Sequence, residues 1–316
     1  VATGLAPATV SLRRGAIELQ VLPARGACFA ALLHHAPGRA GLDLLRPLPD
    51  GSQDLFQSGA YVLAPYSNRL FGQRLLAGAG DVRHIALNRA GITDPVHGVA
   101  WMKAWTVTAH SADSVTLACR HDADAHWPYS HACELQLEVG DSQVCFRLTL
   151  RNLSDSPMPV GMGFHPFLAI DDDSAVIFRT AGRWEQDAQG LPTHLAPSHY
   201  DPAAGLLAAS LELNHCHSGW SGPLRLTRPR HGLTVDMRAS SELDHLQVYR
   251  PPGVPWLCAE PVSHATGAWS LPQVHQAGAG LRWLPPGAEF QGWMALSVQI
   301  ELASSLLPNA SNRRTP

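Results

Sequence analysis

Apolar and polar residues alternate with a period of two through most of this chain, and no segment sustains the 3.6-residue period of a long amphipathic helix. Residues 16–22, 114–120, 132–139 and 144–153 alternate in this way, and so do 224–227, 233–238 and 246–249. Side chains on a strand point alternately to opposite faces, so each segment has one face to bury. Turn formers such as Gly140-Asp141, Ser156-Pro157, Pro251-Pro252-Gly253 and Pro285-Pro286-Gly287 lie between them. Strands joined by turns, without the strand–helix alternation of a parallel sheet, predict an all-β fold. Two large antiparallel sheets packed face to face suit the pattern. Helix candidates are short, such as the region around residues 270–277.

No fixed-period repeat and no Gly/Ser-rich linker divides the 316 residues. Residues 1–303 therefore read as one catalytic domain and the polar stretch 304–316 as a loose tail. The formal net charge is only -3, and the arginines are scattered around a lone lysine, Lys103. That distribution offers no basic face, so no nucleic-acid partner is expected. No apolar run reaches the length of a membrane span. No basic-then-apolar leader opens the chain, and the expected location is cytoplasmic. The six cysteines lack CxxC spacing and read as reduced, mostly buried small hydrophobes.

Two segments carry the chemistry. Gly161-Met162-Gly163-Phe164-His165-Pro166-Phe167 sets an imidazole in an apolar stretch, and Cys258-Ala259-Glu260-Pro261-Val262 does the same for a carboxylate. An acid among such neighbours must be paired or functional. An imidazole and a carboxylate in one pocket form a general acid and general base. The bland reading of His165 alone is a hydrogen-bonded core histidine, and Arg69 alone reads equally as a structural ion-pair partner. His215 and His217 would share one strand face, as metal ligands do, but no carboxylate follows within a few residues, so no metal is expected. His121, His126, His131 and several others read as surface or turn histidines.

Four further segments complete the set: Pro65-Tyr66-Ser67-Asn68-Arg69, Pro95-Val96-His97-Gly98, Leu213-Asn214-His215-Cys216-His217 and Gly280-Leu281-Arg282-Trp283. The ordered set of Asn-Arg, His-Gly, Gly-x-His-Pro-Phe and Cys-x-Glu-Pro resembles the aldose 1-epimerase (galactose mutarotase-like) family, from about residue 17 to residue 302. The resemblance implies an all-β supersandwich and an isomerase that interconverts the α and β anomers of an aldohexose. It implies Glu260 as general base and His165 as general acid, with Asn68, Arg69, His97 and Asn214 at sugar-contacting positions. No cofactor is implied, and the partner is a small sugar.

The proposed chemistry removes the C1 hydroxyl proton while protonating the ring oxygen. On that basis the polar ends of His165 and Glu260 are expected about a pyranose ring apart, and the carboxylate is expected to raise the imidazole pKa. Trp184, Trp220, Trp256 and Trp269 are the candidates for stacking on the sugar. The chain departs from the family where Asn214 replaces an aspartate, and around Gly267 and Trp269-Ser270. Two alternatives stay open. One is a hexose-6-phosphate 1-epimerase, for which Arg25, Arg74 and Arg250 are candidate phosphate ligands. The other is a non-catalytic carbohydrate-binding protein on the same fold.

Overall fold

The computed structural model describes residues 9–36, 40–78, 80–198, 205–208, 213–272, 274 and 278–301. The expected tail at 304–316 lies outside the described residues, as do 273 and 275–277. The described part of the expected helix, 270–272 and 274, is turn rather than helix. The helical segments among the described residues are short 3₁₀ turns such as Leu55–Gln57, Phe71–Gln73 and Ala100–Met102.

Alternation becomes a strand where the sequence expects it. His131–Val139 buries every second residue, and so does its hairpin partner Gln143–Asn152. The turn closes with the Gly140 N–H donating to the Gln143 carbonyl at 2.7 Å. The register sets Leu135 opposite Leu148 and Leu137 opposite Phe146, so the apolar sets share one face. The hairpin joins a nine-stranded antiparallel sheet, ordered Leu206–Leu207, Ala175–Ile177, Leu224–Arg228, Leu233–Ala239, Glu289–Ile300, Gln143–Asn152, His131–Val139, Ser114–His121 and Thr106–His110.

The second large sheet runs Pro192–Pro197, Gly182–Gln186, Leu213–Ser218, His245–Arg250, Trp256–Val262, Gly163–Phe164 and Val62–Leu63, with Phe167–Ala169 also paired to Trp256–Val262. A four-stranded sheet of Val10–Arg14, Ile17–Leu22, Cys28–His34 and Leu42–Asp43 adds Phe29 to the core, where its ring stacks 5.0 Å from that of Phe146. The core joins Phe146 and Leu148 to Leu246, Val248, Leu257 and Ala259 of the second sheet. Each fully buried Leu or Phe there contributes roughly 1.5–3 kcal/mol. No helix among the described residues is long and apolar enough to cross a membrane.

The other face of the second sheet positions the site. Leu257 and Ala259 point into the core, so Trp256, Cys258 and Glu260 point the opposite way. Antiparallel register then sets Gln247 opposite Glu260, Tyr249 opposite Cys258, and Asn214 opposite Tyr249. Three adjacent strands thus bring one carboxylate, two amides and two aromatic side chains to a single surface.

Candidate active site

A cavity of about 420 Å³ opens on that surface, within the range of ligand pockets. His165, Glu260, Asn68, Arg69, His97 and Asn214 all line it, although they come from five separate stretches of chain.

His165 follows the strand Gly163–Phe164, and its N–H donates to the Tyr61 carbonyl at 2.9 Å. Its ring packs against two others, with centroids 4.7 Å from Tyr61 and 4.6 Å from Phe167, and those two rings also meet each other at 6.2 Å. The three rings form one cluster that positions the imidazole, and its Nε2 edge meets Glu260. His165 Nε2 and Glu260 Oε1 are 3.3 Å apart. The two residues are only 6% and 3% exposed, so neither charge is shared with bulk water. Among the described residues, Glu260 Oε2 has no hydrogen-bond partner.

The expected ring-width separation is therefore corrected: the pair is in contact. The reason is register: Gly163 pairs with Val262 and Phe167 with Cys258, which sets His165 across from Glu260 on neighbouring backbone. Burial also reverses the expected imidazole shift. It raises the Glu260 carboxyl well above the usual carboxylate range. It lowers His165 well below the usual imidazole value, with His97 adding to the effect.

Two loops bring the remaining polar groups. After the cis Ala64–Pro65 bond, residues 65–69 are pinned by the Gly161 N–H on the Pro65 carbonyl at 2.7 Å and by the Ser67 N–H on His264 Nε2 at 3.1 Å. Gly161 is required there, because a Cβ would run into the His264 ring. The second loop, 95–98, is held by the Asn88 amide, which donates to the Val96 and Gly98 carbonyls and accepts from the Val96 N–H. Gly98 has φ +69°, and a Cβ there would strike the Ala64 carbonyl, which fixes the Gly after His97.

The loops are cross-linked. The His97 N–H donates to the Asn68 carbonyl at 2.9 Å, and the Asn68 N–H donates to His97 Nδ1 at 3.2 Å. Asn68 and His97 both sit at positive φ, 55° and 60°, a strained arrangement that such ties sustain. Burial lowers the His97 pKa to about 3, with Arg69 and Arg89 adding to the effect. The ring is neutral, and with Nδ1 accepting, its proton sits on Nε2 as a donor.

Several cavity residues have no signal in the sequence motifs. Gln247 and Tyr249 occupy the polar phase of an alternating strand and read there as solvent-facing. Arg46, Asp54, Tyr61 and Arg89 lie outside the motifs, although Tyr61 precedes one of them. Of the four tryptophans, Trp256 lines the cavity, while Trp184, Trp220 and Trp269 are buried elsewhere. None of Arg25, Arg74 and Arg250 lines it. Arg25 donates to the Ser52 carbonyl, and the buried Arg250 donates to those of Pro251 and Val254. His121 and His131, read as surface residues, are buried and pack ring to ring at 5.0 Å. His217 is likewise buried, while His215 is half-buried. A metal would find its donors elsewhere: His165, Cys258 and Glu260 each offer one ligand atom, all within 4.8 Å of one another.

Comparison with known proteins agrees with this architecture. The chain is 23% identical over 253 residues to the uncharacterized protein YphB of Escherichia coli K12, covering 77% of this chain and 84% of that one. It superposes on the crystal structure of an E. coli K12 protein described as a candidate aldose 1-epimerase with a TM-score of 0.81 and 21% identity, over 93% of this chain and 99% of the other. A galactose mutarotase-like protein from Clostridium acetobutylicum gives a TM-score of 0.80 at 18% identity, over 93% and 95%. At these identities the superpositions establish the fold. Residues 9–297 match the family model described as Aldose 1-epimerase, and the chain belongs to that family.

Proposed function

We propose that the protein is an aldose 1-epimerase that interconverts the anomers of a hexose by acid–base opening and closing of its ring. The observation that carries this reading is the buried His165–Glu260 contact of 3.3 Å on the wall of a sugar-sized cavity, with Glu260 Oε2 left free to accept.

Glu260 takes the proton of the C1 hydroxyl, and His165 gives one to the ring oxygen. The C1–ring-oxygen bond breaks, the C1 carbonyl forms, and the C1–C2 bond rotates. Closure on the other face runs the transfers backwards, returning one proton from Glu260 to the carbonyl oxygen and the other from the C5 hydroxyl to His165. The pair holds one proton throughout, as ionised carboxylate and imidazolium beside the closed sugar, and as neutral acid and neutral imidazole beside the open chain. Burial disfavours the charged arrangement, which reduces the cost of passing to the open chain.

His97 presents an Nε2–H donor to a hydroxyl, Arg69 a forked set of donors, and Trp256 an apolar face against the ring. Holding the sugar against the pair supplies the positional part of the rate gain. The test is direct measurement of anomer exchange on a panel of aldoses, with the spontaneous rate subtracted. Catalysed exchange supports the reading, and its absence across the panel leaves sugar binding without turnover.

A further inference from the structure

We propose that the aldose taken by this site is anionic, with a carboxylate or phosphate at the end remote from C1, and that Arg69 and the Asn214 amide hold that group. The inference rests on the epimerase reading above and narrows its substrate class.

The first support is the balance of charge. Three arginines and two carboxylates line the main cavity. Arg89 is neutralised by Asp54 at 2.9 Å, and the second Asp54 oxygen accepts the Phe56 N–H. Arg46 donates to the carbonyls of Phe56 and Ser58 and lies 3.7 Å over the Phe167 ring, with no carboxylate in ion-pair reach among the described residues. The Arg69 guanidinium has neither an ion pair nor a hydrogen bond among the described residues. Glu260 is the single acid left to oppose Arg46 and Arg69, so cations outnumber acids on this wall. The cavity is cationic before anything binds, and an anion is the ligand that balances it.

The second support is the direction of the hydrogen bonds. Asn214 Oδ1 accepts from Gln247 Nε2 at 3.0 Å, and Gln247 Oε1 accepts from the Thr266 hydroxyl at 3.1 Å. In this chain of bonds Gln247 donates to Asn214, and the Asn214 N–H groups are left to donate. A sugar hydroxyl both donates and accepts, whereas ionised carboxylate and phosphate oxygens only accept, so a cluster of donors suits an anion best. Arg69 forks naturally onto such oxygens.

The third support is position. A second cavity of about 150 Å³ shares Asn68, Arg69, Asn214 and Gln247 with the first. Its remaining wall is Phe71, Gln186, Gln189, Gly190 and Thr266, and no carboxylate lines it among the described residues. Asn214 stands two strands away from Glu260. At the spacing of neighbouring strands that is on the order of 10 Å, enough for a pyranose between them. A sugar with C1 at Glu260 directs its far end toward Arg69, Asn214 and this chamber.

The test is kcat/KM for anomer exchange, measured on wild type and Arg69→Gln. The panel is glucose, galactose, their uronates and their 6-phosphates, at low and high salt. The expected result is at least a tenfold preference for one anionic class over its neutral parent. The preference should reside mainly in KM, shrink as salt rises, and collapse in Arg69→Gln, with partial recovery in Arg69→Lys. The uronate and 6-phosphate arms tell which anion it is. Turnover of neutral sugars that depends on Glu260 and shows no anionic preference overturns this inference alone, as does a preference that survives Arg69→Gln. Absence of exchange for every sugar overturns the epimerase reading and this inference with it.

Discussion

The Asn214 side-chain carbonyl accepts a hydrogen bond of 3.0 Å from Gln247, the residue that faces Glu260 across neighbouring strands. A change at position 214 is thus felt within one residue of the proposed base. Asn214→Asp keeps the acceptor for Gln247 but replaces the donors with charge. For a neutral hexose the expected change is in KM or sugar preference, by roughly 0.5–1.5 kcal/mol. An anionic sugar should lose affinity. Steady-state exchange kinetics on both sugar types check this. A kcat fall above about a hundredfold with KM unmoved would place position 214 in the chemical step instead.

Phe167 stacks on His165 at 4.6 Å, and the Arg46 guanidinium lies 3.7 Å over the Phe167 ring. Phe167→Ala should cost about 3–5 kcal/mol of stability through the cavity it leaves. It should also lower kcat, because the imidazole loses one of the two rings stacked against it. Phe167→Leu fills most of the space without a flat ring, so it should recover stability more than kcat. Denaturant unfolding beside exchange kinetics separates the two effects, and parallel recovery of both would show Phe167 to be packing alone.

The pH profile follows from the shared proton. Activity needs the His165–Glu260 pair to hold one proton. Adding a second charges a buried imidazole whose pKa burial has already lowered, so the acid limb moves below about 6.5. Removing the last leaves a bare buried carboxylate whose pKa burial has raised, so the alkaline limb moves above about 4.3. Unshifted, the two limbs would cross and leave no plateau; burial pushes them apart, so a plateau is expected, with both limbs belonging to the pair. Initial rates from pH 4 to 10 check it. An acid limb at or above about 6.5, or an alkaline limb at or below about 4.3, would show that burial does not govern the pair.

Buried neutral histidines make the fold acid-sensitive. Burial lowers His131 to about 3 and His264 to about 4. In the unfolded chain both take protons near 6.5, so below that pH the unfolded state binds more protons. Each pH unit lost should cost about 1.4 kcal/mol per such histidine, until the folded-state value is reached. Melting temperatures at pH 7.5, 6.0 and 4.5 should fall steadily, and His131→Gln, far from the site, should flatten that slope. An unchanged slope in the variant would remove His131 from this account.

The sequence reveals strands best where one face meets water. Residues 131–139 and 143–152 alternate cleanly, and their boundaries are read almost to the residue. Trp256–Val262 carries Glu260, yet it has no alternation, because all but its first residue are buried. Pro261 within it further masks the strand. Glu260 itself is legible, since a carboxylate in an apolar run needs a reason. Gln247 is not, because its meaning comes from register: it faces Glu260 only once two strands pair. Arg46 and Arg89 are invisible for a similar reason. Scattered arginines look alike until folding shows which of them are left without a carboxylate.

The most direct measurement is exchange NMR of anomers with wild type, Glu260→Gln and His165→Asn, the spontaneous rate subtracted. Both variants should remain folded and bind sugar. Glu260→Gln should lose at least about a hundredfold in kcat, and His165→Asn should lose a comparable amount together with the response to pH. Near-wild-type exchange in Glu260→Gln would contradict the buried pair as the source of proton transfer.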